Sequence, residues 1–302
     1  MKPGRSPQRD LRRIPSWAPP IWSSLLRSPH VDHSGLVLHG NLRAHIGRKL
    51  GAYSLVKRGY RRLRPRWVWE RTNPIGRATK RYVVEHGLSV RRGPFSGVRY
   101  HPGSVGRVSF LPTKLLGCYE RELAPILAVA RGFDMFVDVG AGDGYYCVGF
   151  KRLFPGTRVI GYEVGRVERS TAAKLAALNG VSVESRGRAD HASLTAVVSG
   201  RVLLMVDVEG YEYELLDPIL VPRLLDATMI VEAHPAVHPA VVDTLRSRFS
   251  QSHDVRVIQG SGRDIHEFPE LADWNEAQAR CAISEGRTLN PLWLVLRPRA
   301  SG

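Results

Sequence analysis

The chain has 302 residues, 43% of them hydrophobic, with a formal net charge of +16. No apolar run approaches the roughly 18–20 residues of a membrane span, and the scattered Cys118, Cys147 and Cys281 fit neither a disulfide framework nor a metal or redox spacing. The charge is uneven: residues 1–100 hold 22 of the 44 Lys and Arg but only 4 of the 28 Asp and Glu, so the first third carries the whole basic surplus.

In chain order, residues 1–35 are rich in Pro, Ser and Arg, a composition that predicts disorder. The basic start is followed by no apolar stretch and is not read as a secretory signal, so a cytoplasmic protein is expected. Residues 36–109 form a basic extension. Within it Leu50, Tyr53, Val56, Tyr60 and Leu63 recur at steps of three and four, which predicts an amphipathic helix over 44–64 ended by Pro65. A short helix is expected over 78–85, and turns with a hairpin over 93–106, where four glycines and two prolines fall.

Residues 110–302 read as one α/β domain. A helix is expected over 119–130. Short apolar runs follow at 136–140, 158–162, 181–183, 202–206, 229–231, 255–258 and 292–296. Helical stretches lie between several of them, at 166–178, 211–225 and 270–282. Alternating strands and helices imply parallel βαβ units. The expected fold is an α/β, Rossmann-like, seven-stranded mixed sheet with helices on both faces, preceded by the basic, partly helical extension.

The first run ends in Asp138-Val139-Gly140-Ala141-Gly142-Asp143-Gly144. Glycines at this strand-to-helix junction let backbone turn sharply and approach a ligand. The spacing is G-x-G-x-G, and Tyr145 stands where a dinucleotide fingerprint needs its third glycine. A ligand whose amino acid and ribose pack on the loop therefore fits better than a pyrophosphate. Asp138 could orient the loop or face an ammonium group. Glu163 ends the next strand, where a carboxylate can accept from both ribose hydroxyls. Asp190 follows the third strand, where it could meet an adenine amino group or cap a helix.

These residues resemble motif I and the following motif of class I S-adenosylmethionine-dependent methyltransferases. LLMVDVEGYEYELL at 203–216 is similar to the D-x-E-G-x-E signature of the FkbM-type methyltransferases. LLGCYEREL at 115–123 and MIVEAHP at 229–235 resemble flanking elements of that family. The resemblance covers residues 117–298 and leaves 1–95 outside. It implies S-adenosylmethionine as cofactor, with Gly140, Ala141, Gly142 and Gly144 at its amino-acid end, Glu163 at its ribose and Asp190 near adenine. It places Asp207, Glu209 and Gly210 beside the transferred methyl. The Asn/Asp-Pro-Pro-Tyr tetrapeptide of many amino-group methyltransferases is absent, so the resemblance implies an oxygen acceptor on a sugar, glycan or secondary metabolite.

A hydroxyl acceptor benefits from a base. Asp207 and Glu209, then Glu232 and His234, gather at two successive strand ends. His234 is the preferred base on the ordinary pKa of imidazole, with His191 second. Two carboxylates and a histidine could instead bind a divalent cation; a metal is not favoured. For residues 1–100, contact with nucleic acid, contact with an anionic membrane surface and docking onto the domain all stay open, so an RNA methyltransferase is the alternative function. A non-catalytic binding protein retaining the fold is a third.

Overall fold

The computed structural model describes residues 73–286 and 291–299. The expected disorder over 1–35 and the amphipathic helix over 44–64 lie outside the described residues. One compact unit spans residues 63–302. All of the described residues belong to it.

Seven strands form one sheet: β1 (Met135–Val139), β2 (Arg158–Tyr162), β3 (Glu184–Arg186), β4 (Val202–Val206), β5 (Thr228–Ala233), β6 (His253–Gln259) and β7 (Leu292–Pro298). Their order is β3-β2-β1-β4-β5-β7-β6. Strands β1 to β5 run parallel, while β7 lies antiparallel between β5 and β6. This is the Rossmann-like mixed sheet expected from sequence. The chain builds outward from β1 to β3, then returns to start β4 on the other side of β1. The crevice outside the carboxyl ends of β1 and β4 is thus the topological switch point, where such sheets bind ligands.

Nine α-helices occur among the described residues: α1 (Pro74–His86), α2 (Leu111–Leu116), α3 (Ala124–Ala128), α4 (Tyr145–Leu153), α5 (Arg166–Leu178), α6 (His191–Val197), α7 (Glu212–Leu215), α8 (Val241–Phe249) and α9 (Glu276–Ala282). The period of two along the central strands divides the core. Phe136, Leu203 and Met205 face one side, with α1, α4, α5 and α9. Val137, Val139, Leu204 and Val206 face the other, with α6, α7 and α8. Both faces are covered, so β1 and β4 are buried along their whole length, as parallel strands require.

Several expectations shift. The third strand falls at 184–186, not 181–183, because Val181 and Val183 pack against the core beside α5 and pairing with β2 begins only at Glu184. The helix expected over 211–225 is confined to α7 and a 3₁₀ turn at Pro222–Asp226. Pro218 has no N–H to continue the helix and disfavours helical backbone at Asp217. The helix expected over 270–282 begins only at Glu276, where the Asn275 side chain accepts from Gln278 N at 3.0 Å. The helix expected over 119–130 is a 3₁₀ turn followed by α3. The expected hairpin over 93–106 reduces to turns, with a single antiparallel bridge between Ser89 and Arg99.

The boundary drawn at residue 110 falls inside the packed unit. Tyr82, Val90, Phe95 and Tyr100 are buried in the same cluster as Phe136 and Phe150. Helix α1 starts at the Asn73 cap with Pro74 in its first turn. It docks beside α9 through Arg81 to Gln278 (2.7 Å), and Trp274 donates to Glu85 (2.8 Å).

Candidate active site

The glycine loop joins β1 to α4 and is tied on three sides. A side chain at Gly140, whose φ is +95°, would overlap the Asp207 carbonyl oxygen. The loop thus lies directly against the end of β4, and Asp207 N donates to Val139 O at 2.9 Å. Gly144 packs against Ala172 of α5, where a Cβ would sit 2.8 Å from the alanine methyl. Between them Gly142 differs. Its φ is +53°, and a Cβ there would meet nothing nearer than Gly140 O at 3.8 Å. The loop therefore presents an open face at Gly142 while its neighbours fix its path.

Glu163 reaches across from the end of β2. Its carboxylate accepts from Gly142 N at 3.0 Å and from Gly165 N at 2.5 Å. It thus touches the open face and braces two loops. Ala141 lies beside β2, with its methyl 3.1 Å from the position a Cβ on Gly161 would take.

Asp138 is only 3% exposed and accepts from the Cys147 thiol at 3.3 Å. Burial raises its carboxyl to about 7, against the thiol hydrogen bond and with help from the charges of Asp207, Glu163 and Asp143. Asp190 lies at the start of α6, where it forms a capping box with Ser193: its carboxylate accepts from Ser193 N at 2.8 Å. That backbone hydrogen bond holds its carboxyl below the usual range.

Sequence reasoning missed the loop's other anchors. Asp143 accepts from the buried Lys114 ammonium at the end of α2 and from Tyr100 OH at 2.9 Å. Lys114 Nζ also lies 4.8 Å above the Tyr119 ring. No local motif marks these partners, which are 29 and 43 residues away in the chain.

At the ends of β4 and β5 the structure brings Asp207, Glu209, Glu232 and His234 together. His234 Nε2 lies 3.7 Å from Asp207 Oδ1 and 3.9 Å from Glu209 Oε2. Glu209 has φ +56°, a left-handed turn rare for a non-glycine residue, and its side chain is 84% exposed at the rim. Gly210 follows, with a Cβ position only 2.5 Å from Val237.

The residue that organises this group is Glu212, also missed. It has no exposed surface and accepts from His234 N (2.9 Å), His234 Nδ1 (3.0 Å) and Gly210 N (2.8 Å). Its place as the last acid of Asp207-Val208-Glu209-Gly210-Tyr211-Glu212 was the available signal.

Burial by itself lowers the His234 imidazole. The hydrogen bond and charge of Glu212, with the charges of Asp207 and Glu232, outweigh it and raise the pKa to about 9. Glu212 moves the matching way: burial works to raise it, and His234 with two backbone N–H groups holds it below the usual range. The ordinary imidazole pKa that favoured His234 as a base therefore does not apply here, because the surrounding acids shift the ring toward its protonated form. His191 does not join the group, since its Nε2 donates to the Glu214 carbonyl at 2.9 Å.

Among the described residues, Asp207, Glu232 and His234 also form a group whose ligand atoms all lie within 4.8 Å of one another. No described helix is long and apolar enough to cross a membrane.

No family model matches the chain, and no curated protein matches it. Among solved structures it is similar to the O-methyltransferase TomG from Streptomyces achromogenes, solved in complex with SAM, at 16% identity and TM-score 0.40, over 75% of this chain and 90% of that one. It is also similar to precorrin-6y C5,15-methyltransferase from Geobacter metallireducens, at 12% identity and TM-score 0.41, over 61% and 90%. A third is the ribosomal protein L11 methylase from Lactobacillus delbrueckii subsp. bulgaricus, at 16% identity and TM-score 0.36, over 61% and 80%.

Proposed function

We propose that the chain is an S-adenosylmethionine-dependent methyltransferase of the FkbM type, acting on a hydroxyl of a sugar, glycan or secondary metabolite. The observation that carries this reading is the placement of one open loop face between two acids. Gly142 offers room where a Cβ would meet nothing closer than 3.8 Å, Glu163 touches that face, and Asp207 adjoins the loop through Gly140. When bound, S-adenosylmethionine supplies a methyl group on a sulfonium, which an acceptor oxygen takes by in-line displacement.

The chain's own residues then have distinct tasks. Glu163 has lone pairs beyond those used by Gly142 N and Gly165 N to accept from ribose hydroxyls. Asp138, beneath the loop, favours an ammonium group placed near it. Asp207 and Glu209 border the acceptor side, where a carboxylate oxygen can receive the hydroxyl proton. His234, fixed by Glu212 through Nδ1, holds its Nε2 toward those acids. Alignment of acceptor and methyl supplies most of the rate advantage in such a displacement.

Calorimetric titration of the full chain with S-adenosylmethionine, and separately with S-adenosylhomocysteine, tests this. Micromolar binding that Gly142→Arg abolishes is expected. A folded protein that binds neither overturns the reading. A second reading, methylation of RNA, rests on the basic surplus of residues 1–100. It requires salt-sensitive RNA binding by the full chain, and absence of binding at low salt removes it.

A further inference from the structure

The last parallel pair between β4 and β5 joins Val206 to Val231. Asp207 and Glu232 are the next residues on each strand. Neighbours in register on parallel strands present side chains to the same face, and His234, two residues beyond Glu232, returns to that face. The topology thus delivers two carboxylates and an imidazole to one point. Glu232 is buried and the other two are partly buried, with ligand atoms mutually within 4.8 Å.

His234 is oriented from outside this trio. Its Nδ1 is held by Glu212, so the nitrogen turned toward Asp207 is Nε2, 3.7 Å away. A carboxylate on the far ring nitrogen is the arrangement that fixes metal-ligating histidines. The Nε2 to Asp207 separation is longer than a hydrogen bond. Ligands placed about 2.1 Å from an octahedral ion lie roughly 3 Å apart when adjacent, so the pair must close by less than about 1 Å to take one.

We propose that Asp207, Glu232 and His234 bind a divalent cation of the Mn²⁺ class. One imidazole and two carboxylates make a mixed donor set, harder than a zinc or copper site and softer than an all-oxygen calcium site. Three protein ligands leave octahedral positions open to water or to an acceptor. The ion takes the place of the Nε2 proton as the positive charge among the acids. Its role, which rests on the methyl-transfer reading, is to hold the acceptor hydroxyl beside the glycine loop and ease loss of its proton; Glu209, at the exposed rim, can carry that proton to solvent.

The test is a Mn²⁺ titration of metal-stripped full-length protein, following free Mn²⁺ by electron paramagnetic resonance, with no cofactor present. One bound Mn²⁺ per chain is expected, with nitrogen coupling from a single imidazole. Asp207→Asn and Glu232→Gln should each weaken binding at least tenfold. Glu212→Gln, which leaves all three ligands in place, should weaken it by about tenfold. Absence of binding, binding without nitrogen coupling, or binding unchanged in both carboxylate variants overturns the proposal. The nitrogen coupling is read on the unaltered protein, so a variant that fails to fold does not remove the test. Because cofactor is absent, the outcome is separate from that of the calorimetric titration that decides methyl transfer.

Discussion

One oxygen of Glu212 receives both the backbone N–H and the Nδ1–H of His234, at 2.9 and 3.0 Å, and the acid that makes these bonds has no exposed surface. Removing one partner of a buried pair leaves the other charge and its donors uncompensated. Glu212→Ala should therefore destabilise the fold by about 3 kcal/mol or more, and Glu212→Gln, which keeps an acceptor oxygen, by less. Urea denaturation measures both. A loss under about 1 kcal/mol for Glu212→Ala would show that the pair is not an anchor.

Two glycines two residues apart should respond to different degrees. Gly140→Ala drives a methyl group into the Asp207 carbonyl at a left-handed φ, so it should destabilise the fold and impair cofactor binding together. Gly142→Ala has open space and bears only the left-handed backbone strain, about 1–2 kcal/mol. Thermal melts of the two variants give the comparison; equal melting temperatures would contradict it.

Asp138 gives stability a defined pH dependence. Its folded pKa is about 7, above the unfolded value near 4. Below about pH 4 both states carry the proton and the group contributes no slope. As pH rises from about 4 to 7, the unfolded state ionises while the folded state must hold its proton, so stability falls; above 7 the slope from this group ends. Asp138→Asn should therefore be more stable than the unaltered protein at pH 7.5, by on the order of 4 kcal/mol at most, and no more stable at pH 4. Denaturation midpoints across this range decide it, and an equal gain at both pH values would assign the effect to packing.

Asp190 separates two roles by a single replacement. Serine is also a good helix N-cap, so Asp190→Ser should keep both the melting temperature and the affinity for S-adenosylhomocysteine. A tenfold loss of affinity with an unchanged melting temperature would instead place the carboxylate at the adenine.

The strands at 158–162 and 202–206, the helix at 166–178 and the glycine loop were legible in the chain, because apolar runs, glycine punctuation and helical spacing are local signals. Pro218 was such a signal too, and it divides what the apolar pattern alone joined into one helix. The positions of Asp207 and Glu232 were legible as strand ends, but their adjacency depends on which strands pair and in what register. Long-range packing alone puts residues 73–109 in the domain core, brings Lys114 and Tyr100 to Asp143, and sets β7 between β5 and β6. It also raises the pKa of His234, through Glu212, Asp207 and Glu232 together. Glu212 and Asp207 are 22 and 27 residues away in sequence. Charge acts through space and burial is a property of the packed whole, so neither can be read from the residues on either side.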